Sequence, residues 1–190
     1  MGPITELPME DLEQQLSTNV TGIVRVVQAF SPEMIKNKNG MIINIGSVSG
    51  ILTTPFSGAY CASKAAVHCL SDAMRMELSP FNIKVIDVRP GAIESSFGDN
   101  AMAGTEKNKQ QFKLYESIYE QIVKRSNASQ ENPTSTNEFV NTLIKGCFTK
   151  KPAPVQYIGN GSTVFPLLKR LLPTQILDSV LAKKFGLNNL

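Results

Sequence analysis

Met41-Ile-Ile-Asn-Ile45-Gly-Ser47, followed thirteen residues later by Tyr60-Cys-Ala-Ser-Lys64, decides how this chain is read. Met41–Ile45 is a short, nearly continuous apolar run. Such a run suits a strand covered on both faces, as in a parallel sheet. Ser47–Ser57 is built of small residues and reads as a loop. Ala59–Leu78 is predicted to be a helix with Tyr60, Lys64, Val67, Ser71 and Met74 along one side. Tyr60 and Lys64 stand four residues apart, so their side chains share a helical face.

Upstream, Met9 to about Met34 carries Leu12, Leu16, Val20, Ile23, Val24 and Val27 at helical spacing, a helix with one buried face. Asn37–Gly40 is a turn. Downstream, Ile83–Val88 is a second strand, stopped by Pro90-Gly91. Glu94–Gly104 turns small and polar, as in a flexible loop. Phe112, Tyr115, Tyr119, Ile122 and Val123 mark a third helix, and Ser126–Pro133 a polar linker. Ser135-Thr-Asn-Glu138 matches a capping box before a fourth helix with Val140, Leu143, Ile144 and Cys147. Pro154–Ile158 predicts a third strand. Thr174 is placed to cap a last helix with Ile176, Leu177, Val180 and Leu181 on one face, ending near Gly186. Strands alternating with helices imply a parallel α/β sheet. Three strands make a small sheet with an uncovered parallel edge, so something is missing beside the first strand.

Composition narrows the class. The 190 residues are 42% hydrophobic and 18% charged, enough for one globular core and incompatible with disorder. Met1–Gly159 holds 15 basic and 15 acidic residues, so the net +3 arises wholly in residues 160–190, from Lys169, Arg170, Lys183 and Lys184 against Asp178. That excess is too weak for a nucleic-acid binder. Cys61, Cys69 and Cys147 have no ligand spacing and read as reduced core thiols of a cytoplasmic protein. No metal site is expected, since the carboxylates are scattered. No apolar run reaches the ~18 residues of a membrane span.

Ligands of open α/β sheets gather at the carboxyl ends of strands. Ser47 and Arg89-Pro90-Gly91 mark two such ends. A tyrosine beside an ammonium is a plausible acid/base, because a neighbouring positive charge favours the phenolate. A serine at a strand end can hydrogen-bond an oxygen that gains charge. His68, the sole histidine, lies one turn after Lys64 with no Ser/His/Asp set around it, and reads as a solvated or interface residue.

The ordered set Asn19-Val-Thr-Gly22, Asn44-Ile-Gly-Ser47, Tyr60-Cys-Ala-Ser-Lys64 and Arg89-Pro90-Gly91 resembles the short-chain dehydrogenase/reductase family, from about Pro3 to Ser95. The resemblance implies an NADP- or NAD-dependent oxidoreductase, with NADP slightly preferred, that interconverts a carbonyl and an alcohol. It implies Tyr60 as acid/base and Lys64 as the group that lowers its pKa and binds the nicotinamide ribose. Ser47 would hold the substrate oxygen, and Asn19 would order a proton-relaying water. Pro90, Gly91, Ile93 and Ser95 would lie beside the nicotinamide. Phe97, Met102, Phe112, Tyr115 and Tyr119 fall where this family builds its substrate lid, which they would make apolar. Ordinary helix packing accounts equally well for the last three. Family members with such lids and tails act on lipid-like substrates such as acyl-dihydroxyacetone phosphate, retinoids and steroids, and homo-oligomers are usual.

The family's Gly-rich turn, its cofactor selector and its Asn-Ala-Gly segment are not found; Gly46-Ser-Val-Ser-Gly50 follows the wrong strand and lacks the GxGxxG spacing. The expected fold is therefore a partial Rossmann-like, doubly wound parallel sheet without the family's first four strands, and a truncated chain with little or no activity. Residues 1–159 would form the catalytic part and 160–190 a basic amphipathic tail, suited to peripheral membrane contact. The alternative is a non-catalytic binding or membrane-associated module that retains the motif.

Overall fold

The computed structural model describes residues 1–190. Helix α1 (Met9–Leu16) runs through a π-helical turn (Ser17–Thr21) into α2 (Gly22–Asn37). Strand β1 (Gly40–Ile45), helix α3 (Gly58–Leu78) and strand β2 (Ile83–Pro90) follow. Helices α4 (Phe97–Lys107), α5 (Tyr119–Asn127) and α6 (Thr136–Cys147) precede β3 (Val155–Ile158), and α7 (Val164–Leu171) and α8 (Thr174–Lys184) close the chain. The sheet has the order β1-β2-β3. Both pairings are parallel: Gly40 opposite Ile83 through Ile45 opposite Val88, and Asp87 opposite Val155 through Pro90 opposite Ile158.

Strand β2 is central, and its residues from Val85 to Val88 are all buried. Ile86 and Val88 point one way, into a cluster with Ile158 and Cys147 that Phe139 and Leu143 of α6 cover. Helix α3 packs on the sheet with Val67, Ser71 and Met74 buried. Helices on both faces explain why β1 and β2 are apolar without strict alternation. A second cluster, Phe56, Phe112, Ile118, Ile122 and Phe185, ties the loop before α3 to the α5 region and the chain's end. Ser135 caps α6, its Oγ accepting from the Glu138 N–H at 3.2 Å.

Several expectations change. The single helix over Met9–Met34 is interrupted by the π turn. Glu94–Gly104 contains α4, whose Gly98, Asn100 and Gly104 are weak helix formers. Tertiary contacts hold it: Thr105 is fully buried, and Asp11 accepts from Lys107 Nζ and Asn108 Nδ2. The third helix starts only at Tyr119; Phe112 and Tyr115 join the core from short turns instead. Cys61 and Cys147 are buried, but Cys69 lies on the outer side of α3 and is exposed. The tail holds two helices. Pro173 and not Thr174 holds the N-cap position of α8, and Ile176 and Val180 are exposed while Leu177 is buried. No helix is long and apolar enough to cross a membrane.

Candidate active site

The carboxyl end of β1 delivers the site. Asn44 is buried in the strand, and its Nδ2 donates to Ser71 Oγ at 2.9 Å, which pins β1 to α3. The Gly46 N–H donates to the Val88 carbonyl at 2.7 Å, so the first loop residue is still held by the sheet. Ser47 is extended and accepts from the Ser49 N–H at 3.1 Å, and its hydroxyl neighbours that of Tyr60. Tyr60 and Lys64 sit on the first turns of α3. Lys64 Nζ donates to the Ile45 carbonyl at 2.8 Å and lies 5.8 Å from the Tyr60 ring centre. Asn19 occupies the π turn, a local widening common at functional sites. Its Nδ2 donates to Ser63 Oγ at 3.0 Å, and Ser63 Oγ in turn donates to the Tyr60 carbonyl at 2.7 Å.

Asn19, Tyr60 and Lys64 line one cleft of about 690 Å³, with Leu7, Phe56 and Phe97 on its walls. Phe97 packs on Tyr60, ring centres 5.0 Å apart. Burial pushes the Tyr60 hydroxyl above the ordinary phenol value, against the Ser47 hydrogen bond and the charge of Arg125. Burial is the largest influence on Tyr60, and the Lys64 ammonium is directed to the Ile45 carbonyl. Burial also pushes the Lys64 ammonium down, opposed by the Asp87 carboxylate.

The family described as short chain dehydrogenase matches residues 1–106. The chain is 32% identical to the uncharacterized oxidoreductase YbbO of Escherichia coli K12, over 95% of this chain and 62% of that protein. It belongs to the short-chain dehydrogenase family. Other family relatives extend the likeness. The uncharacterized oxidoreductase YusZ of Bacillus subtilis is 28% identical over 96% of this chain and 66% of its own length. The 3-ketodihydrosphingosine reductase of Bacteroides thetaiotaomicron is 43% identical, over 48% of this chain and 34% of that protein. The chain thus spans between about a third and two thirds of the length of these curated relatives. A short-chain dehydrogenase from Streptomyces avermitilis has the same fold, with a TM-score of 0.68 at 24% identity over 99% of this chain and 64% of that one.

Members of this family work with a nicotinamide dinucleotide, and the residues present fit its nicotinamide end. The Lys64 ammonium has three N–H donors and gives one to Ile45, leaving two toward the cleft it shares with Tyr60 and Asn19. The 190 residues hold no GxGxxG turn for the phosphates. Pro90 is buried at the end of β2, and Gly91 is forced by crowding: a Cβ there would meet the Asn160 carbonyl oxygen at 1.9 Å. Ile93 bridges to Thr134, and Ser95 Oγ accepts from the Phe97 N–H at 3.4 Å. Pro90 ends β2, Gly91, Ile93 and Ser95 follow it, and none of the four lines the cleft. Of the aromatic residues assigned to a lid, Phe97 alone lines it. Phe112 is core, with Tyr115 and Tyr119 packed against it.

Sequence reading missed three residues. Arg125 is buried without a carboxylate partner, donating from Nε to Thr54 Oγ1 at 2.6 Å and from Nη2 to Ser57 Oγ at 3.0 Å. It clamps the loop before Tyr60 onto α5. Its signal, an arginine at the apolar edge of a short helix, is indistinguishable in sequence from a solvated one. Asp87 is buried at the centre of β2, paired with Arg89 at 2.7 Å. An acidic residue inside Ile83–Val88 was the available signal. His68 is buried and not solvated, as a correction to its reading above, and its Nε2 accepts from the Ser47 N–H at 3.4 Å.

Proposed function

We propose that this chain carries the catalytic machinery of an NAD(P)-dependent oxidoreductase that interconverts a carbonyl and an alcohol. The observation that carries the reading is that Tyr60, Lys64 and Asn19 line one cleft, with the Ser47 hydroxyl beside that of Tyr60. When bound, the nicotinamide supplies or accepts the hydride at the substrate carbon. Ser47 donates a hydrogen bond to the substrate oxygen. Tyr60 gives its proton to that oxygen in reduction and recovers one in oxidation. Lys64 holds the ribose with its two remaining N–H groups and stabilises the phenolate left behind. Asn19 holds the water through which Tyr60 and Lys64 regain protons.

Leu7, Phe56 and Phe97 suit an apolar or lipid-like substrate, in keeping with the relative named for a ketosphingoid substrate. These 190 residues grip the dinucleotide by its nicotinamide end alone, so NADPH binds little tighter than the reduced nicotinamide mononucleotide and turnover is small. Saturation-transfer NMR with both ligands tests this. Contacts to the nicotinamide ring, lost in Lys64→Ala, support the reading. Contacts to adenine only, or none, overturn it.

One observation favours a further contact with membranes. Helix α7 exposes Val164, Phe165, Leu167 and Leu171 beside Lys169 and Arg170. We propose that it lies on anionic bilayers, apolar face down. Co-sedimentation with phosphatidylserine vesicles should fall in a Phe165→Asp/Leu171→Asp chain. Equal sedimentation of the two chains would overturn the proposal.

A further inference from the structure

The Gly46-Ser-Val-Ser-Gly50 turn lacks the spacing of a dinucleotide-binding turn, and His68 has no place in the proton path above. The structure puts them together. A Cβ at Gly46 would stand 2.6 Å from His68 Nε2, and one at Gly50 would stand 2.6 Å from His68 Cε1 and 2.7 Å from the Lys64 carbonyl carbon. Side chains do not tolerate such distances, so glycine at both ends of the turn is what admits the imidazole.

Between these glycines, the Ser47 N–H donates to His68 Nε2 at 3.4 Å. Nε2 accepts only in the neutral ring whose proton sits on Nδ1. A second partner waits nearby. Asp87 is buried; its Oδ2 takes the Arg89 Nε–H, and its Oδ1 has no hydrogen-bond partner. Oδ1 lies 2.8 Å from the same point beside Gly46 that Nε2 approaches to 2.6 Å. A protonated ring cannot accept from Ser47. Its Nε2–H would instead satisfy the orphaned Asp87 oxygen, and burial makes that orphan costly.

We propose that His68 is a positioning residue for Ser47: neutral, it holds the Ser47 amide and so aims the Ser47 hydroxyl at Tyr60, and on protonation it leaves that amide for Asp87. The inference rests on the reading above in giving Ser47 a place in the reaction. The charged groups facing the ring are Asp87 and Arg89 from β2 and Lys64 and Asp72 from α3. Strand β1 has no charged residue. Burial holds the imidazole neutral below its usual range, with Asp87 acting against it.

Nitrogen-resolved NMR of the wild-type chain tests the proposal without turnover or cofactor. At neutral pH the His68 proton is expected on Nδ1. On acidification the Ser47 amide resonance should move with the same midpoint as the His68 ring. His68→Gln offers an acceptor that does not titrate, so the Ser47 amide should stay near its wild-type position and lose its pH dependence. His68→Leu should displace it at every pH. A neutral-pH proton on Nε2, or a Ser47 amide indifferent to the His68 titration, overturns the proposal. Failure of nicotinamide binding or turnover would overturn the hydride-transfer reading and leave these resonances unaffected, so the two failures are distinguishable.

Discussion

Residues 40–78 and 94–131 both build the cleft, by different means. The first segment is a strand, a turn and a helix whose functional groups are set by local spacing: Ser47 at a strand end, Tyr60 and Lys64 one helical turn apart. The second is a series of short helices that acquire their shape from burial. Phe112, Ile118 and Ile122 are nearly inaccessible, and Arg125 reaches back to Thr54 and Ser57. The first segment supplies chemistry, and the second supplies the wall and holds the loop that carries Tyr60. Damage to the first should therefore cost rate, and damage to the second should cost stability.

The largest expected effect tests the first half of that contrast. Tyr60→Phe removes the only proton donor proposed for the substrate oxygen, so it should lower the rate of hydride transfer by about 100-fold or more. The Phe ring keeps its packing on Phe97, so the denaturation midpoint should stay near wild type. A large loss of stability with rate unchanged would reverse the roles of the two segments.

The second segment is broken at Ile122. The residue is fully buried between Phe56, Phe112 and Phe185. Ile122→Ala should cost about 2–5 kcal/mol in urea denaturation, the range for an aliphatic side chain truncated in a packed core. Arg125→Met tests the polar part of the same wall. It keeps the stem but takes the guanidinium donors from Thr54 Oγ1 and Ser57 Oγ, which still bond each other at 2.9 Å, for an expected loss of about 1–3 kcal/mol. Ser57 still has the Thr54 carbonyl as an acceptor at 3.2 Å, which places the loss toward the lower end.

This contrast is also a contrast in legibility. The three strands, their parallel arrangement and the shared helical face of Tyr60 and Lys64 follow from patterns that are local in the chain, whereas Asn19 and Ser47 are placed beside them by the family resemblance. An apolar run, a helical stripe and an i, i+4 pair each carry their meaning within a few residues. Helix α4 carries no such pattern: its glycines and asparagine argue for a loop, and its contacts with Asp11, some 90 residues earlier in sequence, decide otherwise. Phe112 and Tyr115 fit a helical period yet reach the core from turns, because burial asks only that the rings arrive. His68 was misplaced for a related reason. Its partners are the Ser47 amide and the space left by two glycines, and neither has a side chain that signals a histidine.

The smallest expected effect separates the segments by pH. In the first segment, Tyr60 and Lys64 are shifted in opposite directions by the same cause, burial. The folded Tyr60 keeps its proton above 10.0, where the unfolded residue loses it, so the folded state binds more protons and stability falls as pH rises through that window. The folded Lys64 gives up its proton below 10.5, where the unfolded residue still holds it, so stability rises with pH up to that value. The two windows meet between 10.0 and 10.5, so wild-type stability should rise with pH up to that range and fall beyond it. Tyr60→Phe removes the Tyr60 share of the falling part and leaves that of Tyr119, so the mutant should lose less stability than wild type as pH climbs past 10.0. Lys64→Met removes the rising part, so that mutant should lose stability as pH climbs past 10.0. Ile122→Ala should shift the whole profile down without changing its shape. Denaturation midpoints at a series of alkaline pH values would read all three, and a profile in Ile122→Ala reshaped as strongly as in Lys64→Met would end the separation between a titrating segment and a packing one.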